Sequence, residues 1–118
     1  MLVVDDDADI RKVVRRALTF AGYEVLLAES GEAALQTIAS RGGQVDLVLT
    51  DVMMPGIGGR ELAARVRSMR PDARILFSSG YAENAIAHHG VLAEGVQFIA
   101  KPYSLQALTA KVRETLDA

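Results

Sequence analysis

The chain has 118 residues, half of them apolar, and a formal net charge of −2 at neutral pH, which predicts one domain with a buried core. The charge gives no electrostatic reason to expect direct nucleic-acid contact, and the lack of cysteine excludes a disulfide framework or a thiolate metal site. No apolar run approaches the roughly 20 residues of a membrane span, and the start of the chain is too short for a signal peptide. We therefore expect one cytoplasmic domain over residues 1–118, without membrane contact.

Five short apolar runs alternate along the chain with segments of helical periodicity. Their nearly continuous apolar character is typical of parallel strands that are buried on both faces. The predicted strands are residues 2–4, 23–28, 46–50, 73–78 and 96–100. Because parallel strands need long crossover connections, the pattern predicts a doubly wound α/β fold built from five βα units.

Four segments between and after these runs carry apolar stripes at helical spacing. Ser30 and Ser104 are placed to cap helices at their start, and Gly22 is placed to end one. The segment 81–95 predicts only a short or irregular helix, because Gly90 and a further glycine interrupt its pattern. The stripes are Ile10, Val13, Val14, Ala17, Leu18 and Ala21; Ala34, Leu35 and Ile38; Leu62, Val66 and Met69; and Leu105, Leu108, Val112 and Leu116.

Polar side chains follow four of the predicted strands directly. The carboxyl ends of parallel strands meet at one edge of the sheet, where open α/β folds bind their ligands. Carboxylates at such an edge suit a hard cation such as Mg²⁺, while hydroxyl and ammonium groups suit a phosphoryl group. These residues are Asp5, Asp6 and Asp7 after the first strand, Asp51 after the third, Ser78 and Ser79 after the fourth, and Lys101 after the fifth.

These strand ends lie within motifs that resemble the receiver domain of two-component response regulators, over essentially the whole chain. The matching stretches are "VVDDD", "LVLTDVMMPGIGG", "LFSSGY" and "FIAKPY". The resemblance implies a flavodoxin-like (βα)5 fold with strand order 2-1-3-4-5. The "SSGY" and the residues after it are most like the receivers of hybrid sensor histidine kinases. The implied function is that of a phosphorelay receiver, which phosphorylates and dephosphorylates itself without turning over a separate substrate.

The resemblance also implies a phosphoacceptor and a metal site. Asp51 matches the residue that accepts a phosphoryl group from a phosphohistidine, carried by a histidine kinase or a histidine phosphotransfer domain. Asp6 matches a direct Mg²⁺ ligand, and Asp5 matches the acid that reaches the metal through water. Asp51 itself and the backbone carbonyl of Met53 match the remaining protein ligands.

The remaining implied roles concern the bound phosphoryl group and the conformational switch. Lys101 matches the lysine that pairs with the phosphoryl oxygens. Ser79 matches the hydroxyl residue that hydrogen-bonds the phosphoryl group and draws its loop inward. Phe98 stands at the position of a rotameric aromatic switch, and Pro102 at that of a cis-proline.

Several of these residues have simpler interpretations. Asp7 or Asp9 is also placed to cap the first helix, and "MMPGIGG" is also typical of an ordinary loop. Phe98 also fits a plain core position. His88 and His89 suggest a zinc site, but adjacent helical residues point apart, so we expect them on the surface. A solvated helix face is the simplest interpretation of the basic residues Arg11, Lys12, Arg15 and Arg16, and because this face borders the site, a contact with a partner is the alternative.

Two other functions compete with the receiver. A small Mg²⁺-dependent phosphatase of the haloacid-dehalogenase type also uses two aspartates two positions apart, the spacing of Asp5 and Asp7. Against it, Ala8 and Asp9 stand where that class has Thr or Gly. The second alternative is a degenerate receiver that acts only as a binding module, and the intact set of Asp6, Asp51, Ser79 and Lys101 argues against it.

Overall fold

The structure, a computed structural model, describes residues 1–42, 45–79, 96–101 and 103–117, except for the side chains of Ser79 and Val96. The strands and helices along these residues are β1 Leu2–Val4, α1 Ala8–Phe20, β2 Leu26–Ala28, α2 Gly31–Ser40, β3 Leu47–Asp51, α3 Gly59–Met69, β4 Arg74–Ser79, β5 Val96–Ala100 and α4 Leu105–Asp117. They alternate as far as β4, and the next described element is β5. The predictions made for the segment 81–95, with its two histidines, and for Pro102 lie outside the described residues.

The five strands form one parallel sheet in the order β2-β1-β3-β4-β5, which confirms the predicted topology. The chain moves outward from β1 to β2 and then returns to place β3 on the other side of β1. The strand order therefore reverses between β1 and β3, and the carboxyl ends of these two strands are the expected place for a ligand.

β2 is shorter than its apolar run. The sequence predicts a strand over residues 23–28, whereas β2 covers Leu26–Ala28. β2 lies at the edge of the sheet, and its pairing with β1 begins at Leu2 and Leu26. The N–H of Tyr23 instead donates to the carbonyl of Leu18, 3.1 Å away at the end of α1. The prediction was wrong at this end because a strand extends only as far as its neighbour pairs with it.

Both faces of the sheet are covered by apolar side chains, as the continuous runs predict. Alternate residues of each strand point to opposite faces, so neighbours such as Val3 and Val4 belong to different cores. On one face, the sheet packs against Ala34 and Ile38 of α2 and Leu62, Ala63 and Val66 of α3. On the other, it packs against Val14 and Leu18 of α1 and Leu108 and Val112 of α4.

Three helices begin at side-chain caps. Asp7 caps α1, since its Oδ1 accepts hydrogen bonds from the N–H groups of Asp9 (2.9 Å) and Ile10 (3.3 Å). Ser30 and Ser104 cap α2 and α4 in the predicted way, each accepting from the N–H three residues further on, at 3.1 and 3.0 Å. The capping interpretation of Asp7 is thus confirmed.

None of the helices in the described part of the chain is long and apolar enough to cross a membrane.

Candidate functional site

Three carboxylates lie together at the carboxyl ends of β1 and β3. Each of Asp5, Asp6 and Asp51 offers an oxygen, and these oxygens lie within 4.8 Å of one another. Asp5 and Asp51 are buried and Asp6 is exposed, so the group opens to solvent on one side. Three oxygens at this separation, with room for water on the open side, fit a hard divalent cation such as Mg²⁺.

Lys101 brings a positive charge into the same site from the end of β5. Its Nζ lies 2.6 Å from Oδ1 of Asp51 and 3.4 Å from Oδ2 of Asp5. The two carboxylates are almost fully buried, whereas a quarter of the lysine side chain is exposed. One ammonium group therefore compensates two buried carboxylates and still reaches the solvent side of the site.

The pKa values of this pair reflect burial and mutual attraction. Burial raises the pKa of Asp51 to about 6; the hydrogen bond from Lys101 opposes the rise and the nearby charge of Asp5 adds to it. For Lys101, burial lowers the pKa, but the hydrogen bond and charge of Asp51, with a further contribution from Asp5, outweigh it, so the pKa is raised. The lysine therefore stays charged at neutral pH, whereas the protonation state of Asp51 is sensitive to its surroundings.

Ser78 is a second hydrogen-bond donor to Asp51. Its Oγ donates a hydrogen bond to Oδ1 of Asp51 at 3.2 Å, and both residues are buried. Asp51 and Ser78 are register partners in β3 and β4, so their side chains stand on the same face of the sheet. The strand-end position of Ser78 predicted a hydroxyl suited to a phosphoryl group, but not this contact with Asp51. The missing signal was the register, which a strand-end pattern does not contain.

The loop after β3 is held tightly against the site. The N–H of Gly59, the first residue of α3, donates to the carbonyl of Val52 at 2.9 Å. A Cβ atom on Gly59 would collide with the backbone carbonyl of Asp51, so only glycine allows this approach. Gly56 has a positive φ of 79°, which also favours glycine. "MMPGIGG" is therefore a loop whose glycines bring the start of α3 directly against Asp51.

The β1–α1 loop is fixed by its own hydrogen bonds. Oδ1 of Asp5 accepts from the N–H of Asp7 at 2.9 Å, and Nη1 of Arg11 donates to the Asp5 carbonyl at 2.6 Å. Arg11 was expected on a solvated helix face, but it is only partly exposed and binds this loop. The Asp7 side chain caps α1 and is not part of the cluster formed by Asp5, Asp6 and Asp51.

The structure places the other predicted residues near this edge without testing their roles. Met53 is 59% exposed. Ser79 ends β4, where its backbone pairs with Ala100, and its side chain lies outside the described part. Phe98 is partly buried, pairs in register with Phe77 and packs against the core on the α2–α3 side. The metal, phosphoryl and switch roles of these three residues remain predictions.

Comparison with known proteins identifies relatives of the whole fold. A family model described as "response regulator receiver domain" matches residues 1–113. The chain is 39% identical over 117 residues to the sensor kinase CckA of Brucella abortus, covering 99% of this chain and 12% of the kinase. It is 39% identical over 116 residues to the response regulator MprA of Mycolicibacterium vanbaalenii, covering 98% of this chain and 49% of that protein.

A solved structure shows the same arrangement of elements. The response regulator TrrA of Thermotoga maritima, in complex with Mg²⁺ and BeF, is 35% identical, with a TM-score of 0.81 over 97% of this chain and 96% of that one. The curated relatives are longer: this chain spans about an eighth of the kinase and about half of the regulator. The similarity therefore covers one part of each of those proteins.

Proposed function

Because the chain belongs to the response regulator receiver family, we propose that Asp51 is the residue on which it accepts a phosphoryl group. The similarity supports a phosphorelay receiver and not the alternative phosphatase of the haloacid-dehalogenase type. That alternative needed Asp5 and Asp7 to act as a pair, and Asp7 instead caps α1. We further propose that residues 1–118 form a single receiver domain, since the five strands of the described residues belong to one sheet.

The position of Lys101 carries the assignment of Asp51. Among the carboxylates of the site, Asp51 has the closest contact with the ammonium group, 2.6 Å against 3.4 Å for Asp5. A phosphoryl group attached to Asp51 would bring its oxygens within reach of the same ammonium, which can then bind them. Because a quarter of the lysine side chain is exposed, a donor arriving from solvent meets this charge at the mouth of the site.

The transfer itself follows from the chemistry of the two reactants. A carboxylate oxygen of Asp51 forms a bond to phosphorus as the bond between phosphorus and the donor's imidazole nitrogen breaks, and the electron pair stays on that nitrogen. Lys101 stabilises the negative charge on the transferred group. The ionised form of Asp51 is required, since the oxygens of a protonated carboxyl are much weaker nucleophiles than those of a carboxylate.

The cluster of three carboxylates fits Mg²⁺. We propose that Asp6 and Asp51 bind the ion directly and that Asp5 binds it through water. The backbone carbonyl of Met53 would complete the set of protein ligands. When bound, the ion would supply positive charge that offsets the negative charge of the phosphoryl oxygens, as metals do in phosphoryl transfer. The TrrA structure, which holds Mg²⁺ with BeF, supports this choice of metal.

We propose a histidine kinase or a histidine phosphotransfer domain as the phosphoryl donor. The similarity to a sensor kinase supports a receiver that belongs to a hybrid histidine kinase. Signalling would then use Ser79 and Phe98: the serine hydroxyl binds the phosphoryl group, and the aromatic ring changes position as the end of β4 moves. Phe98 is partly buried in the neighbouring strand, where it pairs in register with Phe77.

Intact-mass spectrometry with acetyl phosphate as a small phosphoryl donor tests this function. In the presence of Mg²⁺, we expect the wild-type chain to gain the mass of one phosphoryl group. Asp51→Asn should gain none, whereas Asp7→Asn should behave as wild type, because asparagine also caps helices. Chelation of Mg²⁺ should prevent the gain. An adduct that persists in Asp51→Asn, or continuous release of phosphate from unrelated phosphate esters, would contradict the proposal.

A further inference from the structure

Ser78 is connected to the end of β3 at two points. Its Oγ donates to Oδ1 of Asp51 at 3.2 Å, and its backbone carbonyl accepts from the N–H of Val52, also at 3.2 Å. The residue is 2% exposed. A buried hydroxyl keeps a hydrogen-bond partner because an unsatisfied one is costly, so this contact is a stable part of the site.

Two donors to Asp51 converge on the same oxygen. Lys101 approaches Oδ1 from β5 and Ser78 approaches it from β4. The lysine contact is the shorter of the two, but its ammonium group stands on a long, partly exposed side chain with several rotatable bonds. The serine hydroxyl stands one rotatable bond from the backbone, and the residue is buried. The short, buried donor is therefore the one that can fix the rotation of the carboxylate about its side-chain bonds.

We propose that Ser78 is a positioning residue for phosphoryl transfer, whose hydroxyl holds the carboxylate of Asp51 in the orientation for attack. This inference rests on the proposed function of Asp51. The hydroxyl keeps its proton throughout: the bond that forms joins a carboxylate oxygen to phosphorus, and the bond that breaks joins phosphorus to its donor. Correct orientation of a nucleophile is a large part of the rate of such reactions. Ser78 is distinct from Ser79, which was assigned to the phosphoryl group itself.

A pair of variants with the same shape isolates the hydroxyl. Ser78→Thr retains a hydroxyl and Ser78→Val replaces it with a methyl group, and both side chains suit a strand. We expect Ser78→Thr to be phosphorylated by acetyl phosphate with Mg²⁺ within about twofold of the wild-type rate. Ser78→Val should be about tenfold slower, the lower end of the effect of a hydrogen bond to a charged group. The rate constant is read from a time course of intact mass.

A buried hydroxyl remote from the site provides the control. Thr115 is 1% exposed, and its Oγ1 donates to the carbonyl of Lys111 at 2.7 Å within α4. Thr115→Val also removes a buried hydroxyl, so it should lower the melting temperature without changing the phosphorylation rate. A purely structural role for Ser78 would produce the same result in Ser78→Val: lower stability at an unchanged rate.

The outcomes separate this inference from the proposed function. If the wild-type chain is phosphorylated on Asp51 while Ser78→Val and Ser78→Thr react equally fast, the positioning role is overturned and the proposed function stands. If the wild-type chain is not phosphorylated on Asp51, the proposed function itself fails. Should the valine variant not fold, Ser78→Ala, which adds no atoms, replaces it: a tenfold loss supports the inference, and a wild-type rate overturns it.

Discussion

Lys101 Nζ lies 2.6 Å from Asp51 Oδ1, although β4 lies between β3, which ends at Asp51, and β5, which ends just before Lys101. The same nitrogen lies 3.4 Å from Oδ2 of Asp5. Among the described residues, this ammonium group is the positive charge in direct contact with both buried carboxylates. The stability of the folded chain therefore depends on what offsets the negative charge of the two carboxylates: the lysine, a bound proton or a metal cation.

Removal of the lysine charge should therefore destabilise the metal-free protein. Lys101→Met keeps much of the side-chain volume but leaves Asp5 and Asp51 without a counter-charge. Because the lysine is partly exposed, we expect a loss of about 1–3 kcal/mol in the free energy of unfolding, less than for a fully buried pair. Denaturant titration in the presence of a chelator measures it. Lys12→Met, on the exposed side of α1, is the control and should change stability by less than about 0.5 kcal/mol. Equal effects of the two substitutions would contradict this reasoning.

Mg²⁺ should stabilise the chain through the same carboxylates. At about ten times its dissociation constant, an ion that binds only the folded state adds roughly 1.4 kcal/mol. For a domain of this size, that corresponds to a rise in melting temperature of about 4–8 °C. Asp6→Asn should raise the metal-free melting temperature, because it relieves repulsion, and should remove most of the Mg²⁺ increment.

The neighbouring aspartate provides the matched control for that measurement. Asp7 caps α1 and is not part of the cluster of Asp5, Asp6 and Asp51. Asparagine is as good a helix cap as aspartate. Asp7→Asn should therefore keep both the metal-free melting temperature and the Mg²⁺ increment. If Asp6→Asn and Asp7→Asn show the same increment as wild type, Mg²⁺ does not bind at this cluster.

These adjacent aspartates illustrate how far the sequence predicts the site. Strand-end position alone predicts that Asp5, Asp6 and Asp51 gather at one edge, because β1 and β3 are neighbours in this topology. It cannot assign Asp7, since a carboxylate in that position suits a helix cap equally well. The assignment depends on the local backbone, which points Oδ1 of Asp7 at the N–H groups of α1 and away from the cluster.

The pKa of Asp51 predicts how the stability of the metal-free chain depends on pH. Its pKa is raised from an ordinary value of 3.8 to about 6, chiefly by burial, so the folded chain binds more protons than the unfolded chain between these values. The contribution of Asp51 to the free energy of unfolding is therefore greatest below pH 3.8 and is lost as the pH rises to about 6.

The difference in stability between wild type and Asp51→Asn isolates this contribution. Denaturant titrations in chelator from about pH 4 to about pH 7 should show wild type losing stability relative to the variant as the pH rises. Lys101 remains charged over this whole range, so its loss of a partner in the variant adds only a constant. A difference that is independent of pH, or that changes in the opposite direction, would contradict the raised pKa.

Substitution of Gly59 tests whether close packing of α3 against the backbone of Asp51 holds this residue in place. In the first turn of an ordinary helix, replacing glycine with alanine stabilises a protein by up to about 1 kcal/mol. Here the added Cβ would meet the Asp51 carbonyl, so Gly59→Ala should destabilise the chain and slow its phosphorylation. Ser68→Ala, at an exposed position of the same helix, is the control and should be neutral or slightly stabilising. Stabilisation by Gly59→Ala would show that the contact is not restrictive.

Ser78 and β2 show where prediction from the sequence ends. Apolar runs and their polar ends are local features, so they predict β3 and β4 to within one residue at each end. The contact between Ser78 and Asp51 depends on which residues of two strands lie opposite each other, and the length of β2 depends on where β1 begins to pair with it. Both are properties of strand pairs, which no single segment of the sequence contains.

Chemical trapping of the phosphorylated residue tests the central claim most directly. Borohydride reduces an acyl phosphate to the alcohol, so a phosphorylated aspartate is converted to homoserine, which peptide mass spectrometry locates. After treatment with acetyl phosphate and Mg²⁺, we expect homoserine at position 51 and at no other aspartate, and none when the donor is omitted. Homoserine at Asp5, Asp6 or Asp7, or none at all in a chain that has gained a phosphoryl group, would contradict the assignment of Asp51 as the phosphoacceptor.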